Sequence, residues 1–128
     1  MILLLASFTL MKNGSLLGTA VAVAHVPFER VQPLLTSDGA PTLLNLAGRT
    51  AGVTIGAEPT HALVWLHGGY WYQGEYLFAA HPQGTEVTYR IRNISGHPDV
   101  AIKLWQRRTL RNQQHHLDQY VTDLERRL

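Results

Sequence analysis

The sequence predicts an α+β domain: an antiparallel sheet of about six strands wrapped around a long C-terminal helix. Three observations carry that expectation. Runs rich in β-branched and aromatic residues alternate with Pro, Gly and Asn turn signals over most of the chain. Two proline-opened helical segments follow the first strand-like region. From Asp99 onward, thirty residues contain neither Pro nor Gly, and apolar residues recur there at helical spacing.

The elements follow in chain order. Residues 2–11 and 15–25 read as two strands joined by "KNGS", where Asn-Gly tolerates the positive φ of a type I′ turn. That hairpin sets Leu10 opposite Leu17, Phe8 opposite Thr19 and Ala6 opposite Val21. The apolar "MILLLASFTL" lacks a basic flank and is too short to span a bilayer, so it is read as a strand, with a cleaved leader as the lesser alternative. In "VPFERVQPLL", Pro27 suits a first helical turn, and Phe28, Val31, Leu34 and Leu35 share a face that Pro33 shortens or kinks. Pro41 opens a second short helix, with Gly48 placed to end it.

"AGVTIGA" and "HALVWLHG" are short β-rich runs separated by Glu58-Pro59-Thr60. "YWYQGEYLFAA" and "TEVTYRIRNI" flank "HPQG", a good two-residue hairpin connection. Centring that turn on Pro82 and Gln83 places Tyr76 opposite Tyr89 and Glu75 opposite Arg90. Tyr72, Gly74, Tyr76 and Phe78 then share an aromatic face with Val87, Tyr89 and Ile91, while Gln73, Glu75, Thr88, Arg90 and Arg92 share a wet one. In the last segment Asp99 is the expected N-cap, and Leu110, Leu117, Val121, Leu124 and Leu128 form the buried stripe.

Composition narrows the function. A chain of 128 residues, 45% hydrophobic and 16% charged, suits a single domain spanning residues 1–128. It has no cysteine, which excludes disulfides, thiolate catalysis and cysteine-based zinc sites. Eight of the eleven Lys and Arg lie from Arg90 onward, a bias read mainly as a solvated helix face.

Two motifs invite chemistry that the rest of the chain does not support. "HGGYW", following "ALVWL", looks like the oxyanion-hole turn of α/β-hydrolases. Such an enzyme also needs a nucleophile elbow, and none of Ser7, Ser15, Ser37 and Ser95 sits in a G-x-S-x-G. The chain is also about half the length that fold requires. Among the seven histidines, His115 and His116 are adjacent on a helix and point about 100° apart, while His61 and His67 lie at the two ends of one strand. Neither pair chelates one ion, and no metal or cofactor is expected.

The run "GGYWYQGEYLFAAHPQGTEVTYRIRN" with the long terminal helix after it, and "VPFERVQPLL" where members carry P-x-x-x-V, resemble the START-like or SRPBCC superfamily of polyketide cyclases and lipid-transport domains. The resemblance covers roughly residues 16–128. It implies a helix-grip fold, with a cavity between sheet and terminal helix for an apolar or aromatic small molecule. About two strands fit between the short helices and "GGYW", fewer than larger members carry.

Binding or transport of such a ligand is the expected function, with a cyclase or dehydratase on the same fold as the alternative. A buried Tyr–His pair would favour the enzyme. Expected ligand contacts are Trp65, Tyr72, Tyr76, Phe78, Tyr89, Ile91 and Trp105, whose tyrosines add polar points to an apolar lining. The plainer expectation is a filled core in which these rings pack on Leu104, Trp105 and the helix stripe. Arg92, Arg107 or Arg108 is the expected partner for a ligand carboxylate, and catalysis by Tyr76 or Tyr89 would require a lowered pKa. No catalytic residue is assigned. The expected partner is a small hydrophobic molecule, with neither nucleic acid nor stable membrane insertion, in a cytoplasmic protein whose candidate assembly is a homodimer. A third reading makes the basic face between Arg90 and Arg111 an interaction surface.

Overall fold

The computed structural model describes residues 14–45, 54–67 and 71–128. The expected strand over residues 2–11, the tip of its hairpin, Gly48 and the Gly68-Gly69 turn lie outside those residues.

Five strands form one antiparallel sheet in the order β1-β5-β4-β3-β2. They are β1 (Ser15–Ala24), β2 (Thr54–Glu58), β3 (Leu63–His67), β4 (Tyr72–His81) and β5 (Gly84–Asn93). All five coincide with runs that the sequence marks as strands. The β4–β5 hairpin has the expected register: His81 faces Gly84 across Pro82-Gln83, Tyr76 faces Tyr89, and Glu75 faces Arg90. Gly84 has φ +142°, and a Cβ there would meet the carbonyl of Ala24, so glycine is required where this turn approaches β1. β5 lies between β1 and β4 and alternates strictly, burying Thr85, Val87, Tyr89, Ile91 and Asn93.

The two short helices fall after β1 as expected. Helix α1 (Phe28–Val31) tightens into a 3₁₀ turn over Gln32–Leu34, which contains Pro33, and α2 (Ala40–Leu43) follows. Val31, Leu35, Ala40 and Leu43 drop into the core on the inner face of the sheet.

The C-terminal segment departs from one uninterrupted helix. It runs as α3 (Asp99–Trp105), α4 (Arg107–Arg111) and α5 (Gln113–Arg127), with breaks at Gln106 (φ −108°, ψ 22°) and Asn112 (φ −88°, ψ 7°). The reason is legible in the stripe: between Ile102 and Leu117 only Leu110 is both apolar and directed inward, so little apolar burial holds the axis straight there. Leu117, Val121 and Leu124 bury fully or nearly so against the sheet. Asp99 is also not a side-chain cap. It is the first residue of α3, and its Oδ1 accepts from Ser15 Oγ (2.7 Å) and Asn93 Nδ2 (2.8 Å), tying the helix start to the ends of β1 and β5. Those bonds favour the carboxylate and hold its pKa below the usual value.

At the other end, Arg127 donates to the carbonyls of Thr42 (2.7 Å) and Leu43 (3.1 Å) and pairs with Asp123 (2.7 Å). It thereby adds a second donor to the last carbonyls of α2, which also accept from the Asn45 N–H and the Tyr120 hydroxyl, and straps α5 across that helix.

The outer face of the sheet is not the wet face that alternation suggests. Glu75 is only 1% exposed, and its carboxylate accepts from Arg92 Nε (2.9 Å) and Gln73 Nε2 (3.1 Å). Arg92 reaches on to the carbonyl of Gly14 (3.2 Å). A desolvated charge needs such partners, and Glu75 takes its ion pair diagonally from Arg92 although its cross-strand neighbour is Arg90.

Candidate functional site

A cleft of about 730 Å³ lies between the inner face of the sheet and the C-terminal helices. Its floor is built from Tyr72 and Tyr76 on β4 and Tyr89 and Ile91 on β5. Alternation puts these four side chains on one face, and the register opposes Tyr76 to Tyr89, so their rings meet at 4.7 Å between centroids. Gly74 lies between the two β4 tyrosines. A Cβ there would stand 3.3 Å from the Tyr89 ring and hydroxyl, so the missing side chain gives that ring its place.

The opposite wall is helical and largely polar. Gln106, Thr109, Gln113, His116, Tyr120 and Asp123 follow one another at steps of three and four residues, a single stripe across α4 and α5 and their junctions. It runs beside the apolar stripe of Leu117, Val121 and Leu124, which anchors α5 and so fixes the polar residues over the sheet. Gln113 is itself buried. It donates to the Tyr89 carbonyl (3.2 Å) and lies over Gly18, where any side chain would collide with it.

The three central tyrosines differ in what their hydroxyls do. Tyr76 shares a 3.2 Å hydrogen bond with His116 Nε2, and Tyr120 donates to the Leu43 carbonyl at 2.8 Å. Tyr89 is only 7% exposed, yet among the described residues its hydroxyl has no hydrogen-bond partner. Because no enclosed side-chain polar atom among them is left unsatisfied, that oxygen remains accessible, at the cleft its ring lines.

Desolvation sets the charge state of the site. Burial first, and neighbouring tyrosines second, push Tyr76 and Tyr89 well above the ordinary phenol value; burial does the same to Tyr120. His116 keeps accessible surface on the cleft wall, but its partial enclosure lowers its pKa, so it is neutral at pH 7. The Tyr76–His116 bond therefore joins a neutral phenol to a neutral imidazole. This reverses the lowered tyrosine pKa that acid catalysis by Tyr76 or Tyr89 would require.

A pH dependence follows. Unfolded tyrosine loses its proton near pH 10, whereas the folded chain holds these protons higher, so the stabilisation is complete below about pH 10 and is lost as pH rises further. Each such tyrosine steepens the alkaline loss by up to about 1.4 kcal/mol per pH unit. Denaturant unfolding between about pH 9 and 11 should show Tyr89→Phe with a slope shallower by that amount; an unchanged slope would refute the assignment.

Of the seven residues singled out in the sequence, Tyr72, Tyr76, Tyr89 and Ile91 come together here. Three do not. Trp65 opposes Glu75 in the β3–β4 register and therefore lies on the outer face, its indole over Gly56 and stacked on His67 at 5.4 Å. Phe78 is buried in the core and does not line the cleft. Trp105 is 64% exposed at the end of α3, edge-on to His97. The arginine expectations also change: Arg92 is on the outer face with Glu75, and Leu104, expected against the sheet, is exposed. Sequence reading missed His116 and the polar stripe because the search for burial followed apolar residues. The three-and-four spacing of polar residues beside the leucine stripe was the available signal.

Among the described residues, no cluster of three His, Asp or Glu side chains is arranged to hold a metal ion. No family model, curated protein or solved structure matches the chain.

Proposed function

We propose that the cleft binds a small, largely flat hydrophobic or aromatic molecule carrying an oxygen or nitrogen function, the role that the START-like resemblance implies. The observation that carries this reading is Tyr89, a buried ring whose hydroxyl is left without a partner at the cleft. That hydroxyl reaches the cleft, so a ligand heteroatom bonds it there without displacing a protein partner. The volume falls in the usual range for small-molecule sites. An aromatic floor facing amides and an imidazole suits a ligand with one apolar face and one polar edge.

Thermal-shift titration with sterols, fatty acids and aromatic polyketides tests the proposal. At least one class should raise the midpoint of the wild type, and Tyr89→Phe should weaken its binding roughly three- to tenfold while the unliganded midpoint stays put. Absence of any shift across the three classes would contradict the reading.

The second reading, a cyclase or dehydratase, draws on the Tyr76–His116 bond. Among the described residues, the imidazole is the candidate base hydrogen-bonded to a cleft tyrosine hydroxyl. Its weakness is electrostatic, because a phenol pushed upward is a poor acid and a histidine pushed downward a poor base. Loss of water from an aromatic polyketide, abolished in His116→Ala, would select it over binding alone.

A further inference from the structure

We infer that residues 100–111 form a docking surface for an anionic lipid bilayer. Three large apolar side chains that the core does not use stand in water here: Val100 is 75% exposed, Leu104 63% and Trp105 64%. Val100 and Leu104 are four residues apart on α3 and share a face, and Trp105 adjoins them. The same helix turns Ile102 inward, where it is buried, so α3 is anchored by one residue and presents the others outward.

Charge completes the surface. Lys103, Arg107, Arg108 and Arg111 are exposed within the same twelve-residue stretch, and no Asp or Glu occurs from Val100 to Leu117. Among the described residues, ion pairs form at Glu75–Arg92 and Asp123–Arg127 and none forms at Arg107, Arg108 or Arg111. Exposed apolar groups, one of them tryptophan, followed along the chain by exposed cations match a bilayer interface, where aromatic and aliphatic groups enter the headgroup layer and cations meet lipid phosphates.

The alternatives use only part of the surface. A second copy in two-fold contact would bring the same four cations together. A nucleic acid would use the cations and leave Val100 and Leu104 in water. No helix among the described residues is long and apolar enough to cross a membrane, so the contact is peripheral. Gln106, between Trp105 and Arg107, lines the cleft, which places the bilayer-facing surface beside it. The inference does not depend on what the cleft holds.

Vesicle co-sedimentation of the full chain provides the test. Binding is expected to phosphatidylcholine vesicles containing about one-third phosphatidylserine, to fall with added salt, and to be weak on phosphatidylcholine alone. The triple variant Arg107→Gln/Arg108→Gln/Arg111→Gln should lose about a hundredfold in partitioning, from roughly fivefold per cation. Leu104→Ser/Trp105→Ser should lose about tenfold with an unchanged thermal midpoint, because both side chains lie outside the core. No binding to anionic vesicles would overturn the inference. So would binding that the triple variant abolishes and the Leu104→Ser/Trp105→Ser variant leaves intact, particularly if a single-stranded oligonucleotide competes; that pattern marks an anionic polymer site.

Discussion

Replacing Arg92 with alanine should lower the free energy of unfolding by about 3 kcal/mol. The variant leaves the Glu75 carboxylate, whose side chain is 2% exposed, with Gln73 as its remaining side-chain partner. Removing one member of a buried pair costs more than the pair contributes, because the other charge stays desolvated. The Arg92 side chain is 20% exposed, so water entering at its position holds the loss near the lower end of the usual range. The double variant Glu75→Leu/Arg92→Leu removes both charges and should return to within roughly 1–2 kcal/mol of the wild type. Urea denaturation reads both values. A cost below about 1 kcal/mol for Arg92→Ala would mean that Glu75 is hydrated after all.

The second large effect separates two adjacent residues. Leu117→Ala should cost about 3 kcal/mol, since Leu117 is fully buried between α5 and the sheet and its removal leaves a cavity. His116→Ala should cost less than about 1 kcal/mol, because it gives up one hydrogen bond on a surface already open to the cleft. Equal losses would show that His116 is part of the packing and not part of a binding wall.

The sheet was readable because its signals are local. Strand alternation, the Pro82-Gln83 turn and the Tyr76–Tyr89 register all follow from neighbours in sequence. Position relative to other elements was not. Alternation divides Glu75 from Tyr76 but does not reveal that the outer face is also enclosed at Glu75 and Gln73. Trp65 went to the wrong face because its placement depends on the β3–β4 register, which only the pairing with Glu75 fixes. Trp105 and Leu104 are apolar residues of a helix that packs on the sheet, but Ile102 takes its inward position and leaves them exposed. In the sequence His116 is one of two adjacent histidines, and only its register on α5 puts it over Tyr76 while His115 faces solvent.

The central claim is that the tyrosine-floored cleft is a ligand site and not merely a gap beside the core. Native mass spectrometry of the freshly purified full chain, compared with the same sample after denaturation, addresses it most directly. A co-purified small molecule that leaves on denaturation, and whose occupancy falls in Tyr89→Phe and His116→Ala, is the predicted result. A protein that carries no added mass, and that takes up none after incubation with sterols, fatty acids or aromatic polyketides, would contradict it.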